Sequence, residues 1–226
     1  MAATSVWQVG GDVGEGSEAA RAGGIEGGEG LSSSSSSSPS SPPSSPPSPP
    51  SPPSSYSGPQ FSAMDVRVGV ITKAWHHEDS EKLFCEEIDV GESEPRLIAS
   101  GLRPFFKTED LENRKVLVLC NLKQRKLAGF PSHGMVLCAG NADHTEVKFV
   151  VPPPDSKVGE RVAWGGGGAE AMEAAEKENK FQKKKMFEKI APQLKTDRYG
   201  VATFLGKPLM TSAGPCLSEL KEASIS

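Results

Sequence analysis

The sequence lacks the features that mark secreted, membrane-spanning and metal-binding proteins. Its four cysteines, Cys85, Cys120, Cys138 and Cys216, have no CxxC spacing. Three of them lie in strand-like apolar runs, which predicts reduced core thiols in an intracellular protein. No run of eighteen apolar residues occurs, so no segment is expected to span a membrane. The N-terminus also lacks the cationic start and apolar stretch of a secretory signal.

Enzymatic signatures are missing as well. The segment from Gly200 to Lys207 imitates a phosphate-binding loop, but five residues separate its glycines where four are needed, and Pro208 replaces the magnesium-binding Ser or Thr. The segment from Phe130 to Gly134 approaches a nucleophile elbow, yet its first glycine and its strand-to-helix context are absent. The four histidines have no metal-ligand spacing. The sequence therefore predicts no catalytic residue, no cofactor and no metal site.

Residues 1–64 are of low complexity. They are rich in Gly, Ser and Pro, and they hold too few large apolar side chains to offset the entropy lost on ordering. We therefore predict a disordered leader over residues 1–64. Transit peptides are rich in Arg and poor in acids, whereas this leader has five acids and one Arg. Its composition therefore favours a cytoplasmic protein. Import into a plastid or mitochondrion stays open as the alternative, because Ser-rich leaders are common there.

The net charge of the whole chain is −4, and the leader alone accounts for it. Residues 65–226 are thus neutral overall. A neutral folded part excludes a histone-like polycation and leaves room only for a local basic face.

The clearest pattern lies between Arg114 and Gly140. Two apolar runs, Val116–Cys120 and Met135–Ala139, have the length and aliphatic content of buried strands. The connection between these runs carries three cations, which are Lys123, Arg125 and Lys126. A small sheet that presents cations beside a Gly-containing turn is a plausible surface for binding a polyanion.

Other short strands at regular spacing predict a closed all-β barrel. Their patterns lie at Val66–Ala74, Leu83–Val90, Arg96–Ser100, Glu146–Val151 and Val158–Trp164. A helical turn is expected over Thr108–Asn113, with Thr108 as its N-cap. A segment of about 100 residues has the right size for an OB-fold.

The pattern CNLKQRKLAGFPSHGMVLCA, residues 120–139, resembles the signature of a known family. This is the tRNA-binding OB-fold domain at the C-terminal end of some methionyl- and tyrosyl-tRNA synthetases and in the endothelial-monocyte-activating-polypeptide-like cofactors. Its Leu-Lys-x-x-Lys segment leads through a Gly to Ser-x-Gly-Met. The matching positions here are Leu122, Lys123, Lys126, Gly129, Ser132, Gly134 and Met135. The resemblance implies a five-stranded OB-fold barrel, which we place at residues 65–164.

The three cations of the connection are candidates for phosphate contacts. A cation that neutralises a phosphate releases condensed counterions, so binding would depend steeply on salt. The alternative for Lys123, Arg125 and Lys126 is an ordinary solvated turn. The family match favours phosphate contact.

The resemblance also implies that Ser132 and Met135 contact RNA. A hydroxyl can bond to a base edge or a sugar, and a thioether can lie against a base face. Asn121 matches an Asn in the same pattern and is expected to read a base through its amide. The alternatives are a turn serine and a core methionine at a strand start.

Residues 165–226 are predicted to form a second piece after a glycine hinge, Gly165–Gly168. Acids early and lysines late in the next segment predict one helix that ends near Ile190. Tyr199–Leu205 and Pro208–Thr211 predict a hairpin. The resemblance implies that this extension packs on the barrel where simpler members dimerise, and therefore a monomer.

The helical segment of this piece also carries a second basic cluster, which includes Lys183, Lys184 and Lys185. These lysines are candidates for a secondary tRNA contact. The alternative is the solvated face of a helix.

Together these features predict a non-catalytic tRNA-binding protein. It would grip tRNA by backbone and shape and act in trans as the cofactor of an aminoacyl-tRNA synthetase, with a methionyl-type enzyme as the first expectation. No HIGH-like or KMSKS-like motif of a synthetase catalytic domain occurs. Two alternatives stay open: an interaction module that scaffolds synthetases, and a general binder of single-stranded nucleic acid.

Overall fold

The computed structural model describes residues 56–165 and 172–226. Most of the predicted leader and most of the predicted Gly165–Gly168 hinge lie outside these ranges. The regular secondary structure of the first range is mainly strand. Its strands are β1 (Val66–His76), β2 (Phe84–Asp89), β3 (Arg96–Ser100), β4 (Lys115–Leu119), β5 (Arg125–Leu127), β6 (Phe130–Ser132), β7 (Met135–Val136), β8 (Cys138–Gly140), β9 (Val147–Phe149) and β10 (Ala163–Trp164).

A five-stranded antiparallel sheet, in the order β3-β2-β1-β4-β7, forms the barrel wall. The first half of β1 pairs with β4 on one edge. On its other edge, the Val68 N–H donates to the Glu160 carbonyl at 2.9 Å and the Val162 N–H donates to the Val66 carbonyl at 2.8 Å. The second half of β1 pairs with β2 from Val70 onwards, with a register shift between Ile71 and Lys73. The predicted all-β barrel of the OB type is confirmed.

β4 is buried on both faces, which explains its unbroken apolar sequence. Val116 and Val118 point into the barrel interior. Leu117 and Leu119 point the other way, into a second core. Alternate residues of a strand face opposite sides of its sheet, so each core receives every second side chain.

The second range adds a small α+β extension. Its elements are α1 (Glu178–Lys183), α2 (Met186–Ile190), β11 (Leu194–Thr196), β12 (Ala202–Phe204), β13 (Lys207–Thr211), β14 (Gly214–Pro215) and β15 (Ser224–Ile225). β13 pairs with β10 and β15 pairs with β8, so one sheet contains strands of both parts. Phe181, Ile190 and Phe204 share the second core with Leu117 and Leu119.

The predicted helix end near Ile190 is confirmed, but the prediction of one continuous helix is wrong, because α1 and α2 are separate. Lys185, between them, adopts a left-handed conformation with φ of 48°. In a continuous helix, Phe181 and Met186 would point about 140° apart. The break allows both side chains to be buried in the second core.

Three local predictions for the barrel also need correction. Lys107, not Thr108, is the N-cap of the turn at Thr108–Asp110, which is a 3-10 turn. The apolar run after the connection is divided at Leu137, because β7 pairs with β4 whereas β8 pairs with β9. The connection itself contains an unpredicted hairpin, β5–β6.

The hairpin predicted in the extension is confirmed as β12 paired with β13. Leu205 and Gly206 connect the two strands, with φ of 51° and 73°. A two-residue hairpin turn of type I′ requires positive φ at both of its central residues.

The leader predicted over residues 1–64 extends too far towards the barrel. Phe61 and Met64 are fully buried in the second core. The Tyr56 ring also meets Phe204 edge to face, with centroids 5.8 Å apart. Residues 56–64 therefore belong to the folded part, although isolated apolar residues beside a Ser/Pro tract give no periodic signal.

The four cysteines are free and buried, as the sequence predicts. Burial raises the pKa of Cys85 to about 11 and that of Cys120 to about 12. These thiols are therefore protonated at neutral pH and make poor nucleophiles.

Neither a membrane-spanning helix nor a metal-binding cluster occurs within residues 56–165 and 172–226. No helix there is long and apolar enough to cross a membrane. No three His, Cys, Asp or Glu side chains there are grouped to hold a metal ion.

Glu86 is a carboxyl group enclosed in the fold. It lies on β2 between the inward-facing Phe84 and Ile88, and it is fully buried. The Ser100 hydroxyl donates to its Oε1 at 2.5 Å, whereas its Oε2 has no partner in the described part of the chain. Burial raises the pKa of Glu86 to about 8, against an ordinary value of 4.5. The carboxyl is therefore mainly protonated at neutral pH.

Glu86→Gln should remove a pH dependence of stability. The folded state holds the Glu86 proton up to about pH 8, whereas the unfolded chain releases it near pH 4.5. The free energy of unfolding should therefore fall between these pH values, by up to about 1.4 kcal/mol per pH unit, and then level off. Chemical denaturation at several pH values would measure this slope.

The matched control for this experiment is Glu87→Gln, at the half-buried position next to it. This control should show the same slope of unfolding free energy against pH as the parent protein. If Glu86→Gln also showed that slope, burial of Glu86 would not be the cause of the pH dependence.

Candidate nucleic-acid interface

The cationic connection folds into a short supported hairpin. β5 and β6 pair along their full length, and the turn residues Ala128 and Gly129 have φ of 47° and 88°. Phe130 contacts the barrel through its ring, which meets Trp75 edge to face at 6.0 Å. The hairpin therefore presents the exposed Lys126 on a fixed scaffold.

The chain that follows the hairpin is fixed to β3. The Ala99 N–H donates to the Ser132 Oγ at 3.0 Å. Gly134 has φ of 145°, and a Cβ at this position would lie 2.8 Å from Ile98 Cδ1. Backbone conformation and close packing both demand glycine here, which gives a physical reason for the Gly of the Ser-x-Gly-Met pattern.

Arg96 joins the end of β4 to this same loop. Its Nη1 donates to the carbonyls of Cys120 at 2.7 Å and His133 at 3.2 Å. Its Nε and Nη2 donate to the Glu92 carboxylate at 2.8 and 2.7 Å. These hydrogen bonds from Arg96 hold the pKa of Glu92 below its ordinary value. A paired guanidinium thus fixes the two segments that carry the candidate residues.

A pocket with a volume of about 160 Å³, here termed the seam pocket, lies between the barrel and the extension. The barrel contributes one side of its lining, which consists of Leu122, Lys123, Arg125, Ser132, Gly134 and Met135. The extension contributes the other side, which consists of Phe181, Gln182, Phe187 and Glu188.

Four of the predicted tRNA-binding residues meet at the seam pocket. Ser132 and Met135 are almost fully buried, with 2% and 3% of their surface exposed. Lys123 and Arg125 are exposed. Partial burial lowers the pKa of Arg125, but a guanidinium is so basic that it stays a cation at neutral pH. The site thus combines buried hydroxyl and thioether groups with exposed cations.

The other predicted cations do not line this pocket, but they are neighbours of its lining residues in sequence. Lys126 is exposed on β5, and Lys183, Lys184 and Lys185 are exposed where α1 gives way to α2. None of these four lysines forms an ion pair with a residue in 56–165 or 172–226. They are therefore available to an anionic partner.

Asn121 has a different environment from the other candidates. Only 6% of its surface is exposed. Its Oδ1 accepts from the Asp65 N–H at 3.0 Å, and its Nδ2 donates to the carbonyls of Ala63 and Glu176, both at 2.9 Å. The amide thus joins three segments of the protein. Its predicted contact with a base stays a prediction, and this geometry disfavours it.

The extension's share of the pocket was not predicted from the sequence. Phe181, Gln182, Phe187 and Glu188 lie in a Lys-rich segment whose charges suggested only a solvated helix face. The two phenylalanines were the available signal, because large aromatic residues in a charged helix mark its packed side.

The comparisons with known proteins agree with this geometry. A family model for a tRNA-binding domain matches residues 66–161. The crystal structure of the C-terminal domain of Plasmodium vivax p43 has a TM-score of 0.67 and 33% identity, and the match covers 74% of this chain and 99% of that one. The chain belongs to the tRNA-binding domain family. The resemblance read from residues 120–139 is thereby confirmed.

Relatives of this tRNA-binding domain occur within larger proteins. A probable methionine–tRNA ligase of Oryza sativa subsp. japonica is 45% identical over 153 residues, which are 68% of this chain and 18% of that protein. The aminoacyl tRNA synthase complex-interacting multifunctional protein 1 of Mus musculus is 36% identical over 159 residues, or 70% of this chain and 49% of that protein. The chain thus spans half or less of these two relatives.

Asn121→Ala should lower stability. The substitution would leave the Asp65 N–H and the carbonyls of Ala63 and Glu176 without their side-chain partner. Unpaired buried groups of this kind cost about 1–3 kcal/mol. Chemical denaturation would measure the loss in the free energy of unfolding.

Gln124→Ala is the control for this substitution, because it removes an exposed amide from the same connection. It should leave stability unchanged. If Asn121→Ala kept full stability but lost tRNA affinity, Asn121 would be a base contact after all.

Proposed function

We propose that this chain is a non-catalytic tRNA-binding protein that acts in trans as the cofactor of an aminoacyl-tRNA synthetase. The observation that carries the proposal is the meeting of Lys123, Arg125, Ser132 and Met135 at one pocket. The exposed Lys126 follows Arg125 in sequence. Family membership adds that the scaffold around this pocket is a tRNA-binding domain.

The proposed mechanism is electrostatic capture followed by increased local concentration. Exposed cations on the hairpin and at the seam attract the phosphate backbone without regard to base sequence. A synthetase that associates with this chain would then encounter the bound tRNA, its substrate, at a raised effective concentration. No bond to the tRNA is made or broken by this chain, so the effect is on binding and not on the chemical step.

The relatives indicate which synthetase to test first. A domain related to this chain forms part of a probable methionine–tRNA ligase in rice. We therefore extend the proposal to a methionyl-type enzyme. Other relatives include the cytoplasmic tyrosine–tRNA ligase of Gallus gallus, at 38% identity, which makes a tyrosyl-type enzyme the second choice.

A second candidate function is an interaction module that holds synthetases together. The mouse relative at 36% identity, whose name describes it as synthase complex-interacting, favours this alternative. A general single-strand binder is the third candidate, and it would show no preference for folded tRNA over oligonucleotides.

We further propose that residues 65–164 form the tRNA-binding domain and residues 165–226 an extension that keeps the protein monomeric. The support is the second core, in which Phe181, Ile190 and Phe204 cover Leu117 and Leu119 of β4. An apolar barrel face covered by its own chain has no need of a second copy.

Lys123→Ala combined with Lys126→Ala should weaken all tRNAs alike and flatten the salt dependence. Each lost phosphate contact removes about one unit from the slope of log affinity against log salt. Binding of the full chain to bulk tRNA at several salt concentrations would measure that slope.

Lys157→Ala is the matched control, because Lys157 is exposed and lies beyond the opposite end of β4. At that end, the Lys115 Nζ donates to the Ser156 carbonyl at 2.7 Å. The control should keep the parent slope. An unchanged slope in the double variant would mean that Lys123 and Lys126 do not contact phosphate and are ordinary solvated turn residues.

Sedimentation of the full chain, alone and with a methionyl-tRNA synthetase, should separate the remaining proposals. The chain alone should sediment as a monomer, and the synthetase should join it when tRNA is present. A stable dimer would contradict the proposed role of the extension. A synthetase complex that forms without tRNA would instead support the interaction module.

A further inference from the structure

We infer that the seam pocket binds one unpaired nucleobase of the RNA, with a phosphate of the same nucleotide at Lys123 and Arg125. The inference rests on the proposed tRNA-binding function and specifies its ligand. It assigns a binding role to side chains of the extension, which the sequence pattern of the barrel does not include.

The size of the pocket suits one planar ring system. Its volume is about 160 Å³, and a protein cavity of about 150 Å³ accommodates benzene. A base pair does not fit such a space. The occupant is therefore a nucleotide that has left its helix or lies in a single-stranded part of the RNA.

The apolar lining comes from both sides of the seam. Leu122 and Met135 of the barrel line the pocket together with Phe181 and Phe187 of the extension. Phe181 is fully buried and Phe187 half-buried, so Phe187 keeps surface available for a ligand. Base faces stack on aromatic side chains and lie well against thioethers.

The polar groups set the orientation of the nucleotide. Lys123 and Arg125 are cations on the barrel side, whereas Glu188 is a carboxylate on the extension side. Charge complementarity directs the phosphate towards the two cations and away from Glu188. The base then occupies the remaining space, where the Glu188 carboxylate can accept from its amino or ring N–H groups.

Ser132 adds a directional contact. Its oxygen accepts from the Ala99 N–H at 3.0 Å, which fixes the side chain. A hydroxyl that accepts one hydrogen bond still has its own hydrogen to donate. Ser132 can therefore donate to a ring nitrogen or carbonyl of the base, and the contact costs little because the hydroxyl is already in place.

Two RNA hairpins test the inference on the unmodified full chain. Both carry a single-stranded 3′ overhang, and in one of them every overhang nucleotide is abasic. The abasic RNA keeps its phosphates, so it keeps the electrostatic part of binding. We expect it to bind roughly tenfold more weakly, since stacking of a base on an aromatic side chain contributes an effect of this order.

Phe187→Leu locates the effect at the seam pocket, because it removes the aromatic face and keeps an apolar side chain. It should reduce the difference between the two RNAs to less than about threefold. The matched control is Tyr199→Leu, which replaces an aromatic residue of the extension that is 67% exposed and outside the pocket lining. This control should keep the tenfold difference.

Three results would overturn the inference. Equal affinity for both RNAs, with a normal salt slope, would exclude a base pocket and leave the proposed tRNA binding intact. A full difference in a folded Phe187→Leu protein would place base recognition elsewhere. If neither RNA hairpin binds and tRNA does not bind either, both the proposed function and the base pocket are rejected.

Discussion

The side-chain amide of Asn121 connects the end of β4 to the turn before the barrel and to the extension. It bonds to Asp65 at the start of the barrel, to Ala63 before it and to Glu176 of the extension. Arg161 supports the same arrangement, because its guanidinium donates to the carbonyls of Ser62 and Glu173. The 3-10 turn Phe61–Ala63 and the segment that contains Glu173 and Glu176 are thus fixed to the barrel by side-chain donors.

The two cores explain why the candidate site is composite. The barrel interior could be filled by barrel side chains alone, but Leu117 and Leu119 leave the other face of β4 apolar. α1 and α2 cover that face, and they thereby bring Phe187 to the lining of the same pocket as Met135. Stability and recognition therefore use the same contact between barrel and extension.

Local patterns in the sequence were sufficient to predict the barrel, but they did not predict the contact between the barrel and the extension. Strands such as Arg96–Ser100 were predictable because alternation and flanking turn residues are encoded within a few positions. The candidate residues from Lys123 to Met135 were predictable for the same reason, as they belong to one short signature. The role of Asn121 was not, since its partners are 55 to 58 residues away in sequence. The break at Lys185 was equally hidden, because it is imposed by the burial of Phe181 and Met186 against the barrel and not by a local helix breaker.

The pairing of β15 with β8 has a consequence for how the chain folds. The outer edge of β8 stays open until Ser224 and Ile225, more than eighty residues later, dock against Gly140 and Ala139. An open apolar edge is a template for pairing with other chains, and contacts of such large sequence separation form slowly. During synthesis, this edge of β8 therefore stays unpaired until residues 224–225 have been made.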